Sequence, residues 1–189
     1  MDIKYSDDKI SILSNELKSF YKIKRVIANQ GYLEAVTWSF MDEKVARLIS
    51  DKVIKIKNPI SSDLNVMRPS NTPNLLHAVN LNRSKMLNSG KIFEVGPIFD
   101  DALEGNQVNV ATGIGYGNIT DNYWNSNNNE IDVFEIKSDL MKILKSLNVP
   151  IDNLIYESID NKIFHPGKSS SLRIGKNIIA NFGELHPVF

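Results

Sequence analysis

The segment Asn58–Ser70, "NPISSDLNVMRPS", places Ser61, Ser62, Asp63 and Arg68 between two prolines. A serine beside an aspartate is half of a hydrolytic centre, but the nucleophile also needs a base within hydrogen-bond reach. The segment has no histidine. Turn chemistry explains it more simply: Asn-Pro opens a turn, and Ser and Asp side chains bond back to nearby amides.

Other tempting groups fail on spacing. "HPGKSSS" contains Gly167-Lys168-Ser169, the end of a phosphate-binding loop, but Lys162 stands where that motif needs glycine. The residues that follow read as a strand, so no helix N-terminus is available to gather amides on phosphate. "GIGYG", ending at Gly117, has the wrong spacing for a dinucleotide fingerprint. His77, His165 and His186 are far apart and lack paired ligand spacing, and no metal site is expected. Asp100, Asp101 and Glu104 could hold magnesium, but a solvated loop accounts for them. Lys18, Lys22, Lys24 and Arg25 read as the wet face of a helix.

The elements that must position these residues follow from periodicity. Leu17, Phe20, Ile23, Val26 and Ile27 recur at helical spacing from Ser14, and Gly31 marks the end, predicting a helix over Ser14–Gln30. Tyr32–Phe40 reads as a strand, Asp42–Ile49 as a short helix, and "KVIKIK" as another strand. Thr72-Pro73 reads as an N-cap with proline at the first helical position, with Leu75, Leu76, Val79 and Met86 on one face. Lys91–Phe99 reads as a strand interrupted at Gly96-Pro97, and "VNVATGIGYG" as the next strand. The tract from Gly117 to Asn129 reads as an exposed loop. Asp132 and Glu135 have capping-box spacing and open a helix with Val133, Ile136, Leu140, Ile143, Leu144 and Leu147 inward, which Pro150 stops. Three strand candidates close the chain, the last two joined by Gly175-Lys176-Asn177. Hairpins and separated helices predict an α+β fold with a mostly antiparallel sheet.

Composition bounds the function. A chain of 189 residues fits one domain. Its 22 basic and 22 acidic residues balance, so the overall field attracts neither nucleic acid nor anionic membrane. Cysteine is absent, which removes disulfides and thiolate metal sites. No apolar run approaches membrane-spanning length, and the expected setting is cytoplasmic.

Seven blocks in order carry a family resemblance: "GYLEAVTWSF", "NPISSDLNVMRPS", "LLHAVNLNR", "KIFEVGPIF", "DVFEIKSDL", "FHPGKSSS" and "GELHP". Together they resemble the beta chain of bacterial phenylalanine–tRNA ligase. The resemblance implies a class II synthetase-like core, an antiparallel sheet flanked by helices, over 14–189, with 1–13 a linker from an upstream module. It implies that Ser14–Phe40 is the helix-and-strand signature of a subunit interface, with Leu17, Phe20 and Tyr21 as interface residues. Arg68 is expected to be a buried or interface charge anchor. The second class II signature ends in an aromatic-arginine pair that grips the ATP α-phosphate, and Phe99-Asp100 stands there instead. An aspartate is the wrong charge for that task. The third signature is expected beyond Phe189.

The expectation is therefore a truncated, catalytically inactive domain with no cofactor of its own, inside an enzyme that uses ATP and magnesium. Its implied partner is the alpha chain, in a heterotetramer of two alpha and two beta chains. Contact with tRNA(Phe) is expected through the whole enzyme and weak for this domain alone. An independent enzyme or small-molecule-binding domain on the same fold is the alternative.

Overall fold

The computed structural model describes residues 13–99, 107–119, 129–159 and 162–188. Helix α1, Asn15–Ala28, starts where the Ser14 hydroxyl accepts from the Leu17 amide. It ends at Ala28, and the turn that follows closes at Gly31, whose φ of +84° suits a residue without Cβ. Strand β1 is only Leu33–Glu34, not the predicted Tyr32–Phe40. After the Ala35 amide bonds to Phe93 the chain leaves the sheet: the Trp38 carbonyl accepts from Asn74 Nδ2 at 2.7 Å and the Ser39 carbonyl from the Arg68 amide. Strand β2, Phe40–Met41, then pairs antiparallel with β3, Val66–Met67. Between them lies α2, Glu43–Ile49, capped by Asp42. The predicted "KVIKIK" strand reduces to a single bridge, Lys55 to Val66.

Helix α3, Thr72–Ser84, has Asn71 as its N-cap rather than Thr72. The Ser70 hydroxyl accepts from the Thr72 amide, so the side chain that caps the helix start lies two residues before the predicted Thr72. Met86 is not on the helix face: it lies past the helix end at φ 63° and is exposed. Strand β4, Gly90–Phe99, runs unbroken through Gly96-Pro97 and pairs antiparallel with β5, Gln107–Tyr116. Helix α4, Val133–Ser146, opens as expected, the Asp132 carboxylate accepting from the Glu135 amide at 2.8 Å. It ends four residues before Pro150. Strands β6, Ile155–Glu157, β7, Phe164–Ile174, and β8, Asn177–Leu185, form an antiparallel sheet.

Among the described residues, eight strands and four α-helices make the fold α+β. These strands fall into three sheets, β1-β4-β5, β2-β3 and β6-β7-β8. All pairings among them are antiparallel except β1 with β4. One face of β4 carries Phe93 and Val95 against Ile27 and Tyr32, with Phe20, Ile23 and Ile143 closing the cluster. The other face carries Ile92 against Leu75 and Val79 of α3. Helix α4 also covers the third sheet, through Leu144 on Leu172 and Phe182. Alternation along β4 thus buries both faces, one under α1 and α4 and the other under α3.

Candidate functional site

Arg68 leaves β3 and enters the interior, where it is 1% exposed. Its Nε donates to the Pro97 carbonyl at 2.9 Å. Its Nη1 donates to Glu94 Oε1 at 2.7 Å and Thr37 Oγ1 at 3.0 Å. The Thr37 hydroxyl donates in turn to Glu94 Oε2 at 2.6 Å, so both carboxylate oxygens are engaged. The Arg68 amide donates to Ser39, and its carbonyl accepts from Phe99. One arginine therefore ties three segments together: the chain after β1, the end of β3, and β4. Gly96 makes room for it, since a Cβ there would lie 2.5 Å from Arg68 Nη2. Pro97 fits at this point because its carbonyl, not an N–H, is what Arg68 needs.

Such a pair is a positioning device. Desolvation of both charges offsets most of their attraction, but removing one strands the other in the interior. Its neighbours in the motif do no more than turn chemistry: Ser61, Ser62 and Asp63 are exposed, and the Ser62 hydroxyl donates to Asp63 at 3.1 Å.

Strand β4 delivers the chain to Phe99, half-buried at its end. Asp100, with Asp101 and Glu104, lies outside the described residues. Arg68, which follows β3 and meets this strand from inside the fold, turns its guanidinium onto Glu94 and is buried.

A second ionic cluster escaped the sequence reading. Lys91 of β4 reaches Asp139 of α4 at 2.5 Å and Glu135 at 3.4 Å. Its ammonium also sits 5.5 Å from the centre of the Tyr32 ring. Asp139 is 3% exposed and meets Lys142 as well. Burial, then the charge and hydrogen bond of Asp139, then the charge of Glu135 push the Tyr32 hydroxyl well above the ordinary tyrosine range. The available signal was an acidic residue, Asp139, placed among the inward positions Ile136, Leu140 and Ile143.

On α1, Phe20 and Ile23 pack onto the core, whereas Leu17 and Tyr21 are 45% and 49% exposed. Tyr21 meets Phe20 edge-on at 5.7 Å. Lys18, Lys22 and Arg25 are exposed. Lys24 lies 4.5 Å over the Phe20 ring and pairs with Glu34. The structure thus separates the four sequence-named interface residues: Arg68 is deep inside, Phe20 is half-buried, and only Leu17 and Tyr21 face solvent.

The histidines stay apart in role. His77 is exposed, and His165 and His186 each accept from a backbone amide two residues on, those of Gly167 and Val188. Among the described residues no three His, Asp or Glu side chains gather as metal ligands. Gly167-Lys168-Ser169 lies within β7, where Lys168 pairs with Glu184 at 2.7 Å. Gly113 and Gly115 are close-packing positions, beside Tyr32 and beside Ile131 and Ile136. No described helix is long and apolar enough to cross a membrane.

Two solved structures of pyrrolysyl-tRNA synthetase from Desulfitobacterium hafniense share this fold. One has a TM-score of 0.63 at 14% identity over 92% of this chain and 57% of its own. The other has a TM-score of 0.61 at 14% identity over 95% of this chain and 62% of its own. Sequence then narrows the class: residues 8–189 match the phenylalanyl tRNA synthetase beta chain CLM domain, and the chain belongs to that family. The phenylalanine–tRNA ligase beta subunit of Rhodospirillum rubrum is 36% identical over 179 residues, covering 94% of this chain and 22% of that protein. That of Wolbachia sp. subsp. Brugia malayi is 35% identical over 193 residues, covering 97% and 24%. The chain therefore spans less than a quarter of the length of these relatives.

Proposed function

We propose that this chain is a structural, assembly-bearing domain of a phenylalanine–tRNA ligase beta subunit, itself without catalytic activity. In this reading it supports an alpha subunit that makes phenylalanyl-adenylate and Phe-tRNA, within a cytoplasmic assembly of two alpha and two beta chains. The observation that carries it is at the end of β4. A class II synthetase needs an exposed arginine there to hold the ATP α-phosphate. This chain has Phe99-Asp100 in sequence, and Arg68, the arginine that follows β3 and meets β4 at Pro97, is buried and paired with Glu94.

ATP and magnesium then belong to the partner's chemistry, and no residue here is assigned to bind either. The balanced charge supports only weak contact with tRNA(Phe), since phosphate binding scales with the cations presented. The exposed Leu17 and Tyr21 on α1 supply the apolar surface for a subunit contact. Co-expression with a tagged alpha subunit tests the assembly role: the chain is expected to co-purify in a defined complex. Titration of the isolated chain with magnesium-ATP tests the chemical one, with no specific heat expected. An isolated chain that exchanges pyrophosphate into ATP overturns the reading.

A further inference from the structure

Three lines of side chains run along helix α1, each with members three or four positions apart and so on one face. The first is Glu16, Phe20, Ile23 and Ile27, and from Phe20 onward it packs on the core. The second is Leu17, Tyr21, Lys24 and Ala28, with the spacing of a helix-to-helix seam. Leu17, Tyr21 and Ala28 are exposed, while Lys24 lies over the Phe20 ring and pairs with Glu34. The third, on the solvent side of that seam, is Lys18, Lys22, Arg25 and Asn29, all exposed.

Every charged member of the third line is a cation. The one acid of the helix, Glu16, begins the core-facing line, and Glu34 beyond the helix is paired with Lys24. The chain as a whole is neutral, so this flank is a local departure from its charge balance. Two copies packed seam to seam with antiparallel helices set the flank against itself, because a two-fold interface uses the same patch twice. Lys18, Lys22 and Arg25 of one copy then meet the same three residues of the other. A parallel pairing needs the opposite flank, which Phe20 and Ile27 hold against the chain's own core. Like charges beside a seam reject a partner, and opposite charges admit one.

We infer that α1 selects its partner by charge: the seam of Leu17 and Tyr21 accepts a helix of the alpha subunit with acidic side chains opposite Lys22 and Arg25, and the same cations turn away a second copy of this chain. This rests on the assembly reading above and adds to it the chemistry of the partner. Apolar burial at the seam supplies affinity, and the flanking charges supply partner choice and encounter rate.

Opposite salt dependence of the two associations is the test. Association of the 189-residue chain with a tagged alpha subunit is expected to slow about tenfold between about 0.05 M and 0.5 M sodium chloride, as screening removes the attraction. Self-association of the same chain, read by sedimentation, is expected to strengthen over that range. Lys22→Glu combined with Arg25→Glu is expected to weaken capture about tenfold or more. The same variant is expected to self-associate at lower concentration than the parent, since Lys18 of one copy then meets an opposite charge on the other. Lys22→Gln with Arg25→Gln, the second variant, is expected to shift each association less and with the same signs. Both variants are checked for a native urea transition, and a variant that is only less stable does not move the two associations in opposite directions. Capture that ignores salt and both variants overturns the charge selection and keeps the assembly role. Self-association of the parent that weakens with salt also overturns it. A parent chain that the alpha subunit captures at no salt concentration removes the assembly reading and this inference together.

Discussion

Arg68 shows how a residue that looks catalytic in sequence becomes structural in three dimensions. Its guanidinium and the Glu94 carboxylate are both buried and mutually satisfied. Arg68→Ala is therefore expected to destabilise the fold by about 3–5 kcal/mol, because Glu94 is left charged in the interior. Arg68→Met with Glu94→Leu should recover much of that loss, and urea unfolding of the three proteins checks both statements. Gly96→Ala should cost about 1–3 kcal/mol by pushing its new Cβ into Arg68 Nη2. Tyr32 gives a pH signature. Its hydroxyl is raised in the folded chain, so its contribution is full below the unfolded value of about 10 and fades as pH rises above it. Alkaline difference absorbance should find one of the six tyrosines un-ionised until the chain unfolds. Tyr32→Phe should remove that part of the alkaline loss.

Among elements, α4 is the most heavily used. Its N-cap was readable from Asp132 and Glu135, because capping is decided within four residues. Asp132→Ala is expected to cost about 1 kcal/mol, read as a lower urea midpoint. The burial of Asp139 was not readable, since its partner Lys91 is 48 residues away in sequence. The strand predictions divide the same way. β4, β5, β7 and β8 follow their β-branched and alternating residues, whereas Tyr32–Phe40 stops being a strand at Ala35, past which the Thr37 hydroxyl and the Ser39 carbonyl bond to Arg68 and the Trp38 carbonyl to Asn74. Intrinsic preference is a weak force beside a buried charge in need of acceptors.

For the whole molecule, α1 carries the assembly prediction. Leu17 and Tyr21 lie one turn apart and are both about half exposed, outside the stripe that Ile23 and Ile27 bury. Tyr21→Glu should leave stability nearly unchanged while weakening capture by the alpha subunit and any self-association of the isolated chain. Sedimentation across a wide concentration range checks this. A strictly monomeric chain that also ignores the alpha subunit leaves α1 as ordinary core and removes the assembly role.

By itself, the sequence determined the α+β class, the starts of α1, α2 and α4, the long strands and, through seven ordered blocks, the family. These depend on residues close together in the chain, where periodicity, caps and turn glycines act. Only the tertiary structure decided that Arg68 answers Glu94 and that Lys91 and Asp139 close over Tyr32. Those outcomes are set by which distant segments meet in the low-dielectric interior, where an unpaired charge or amide is costly and every partner must come from another element.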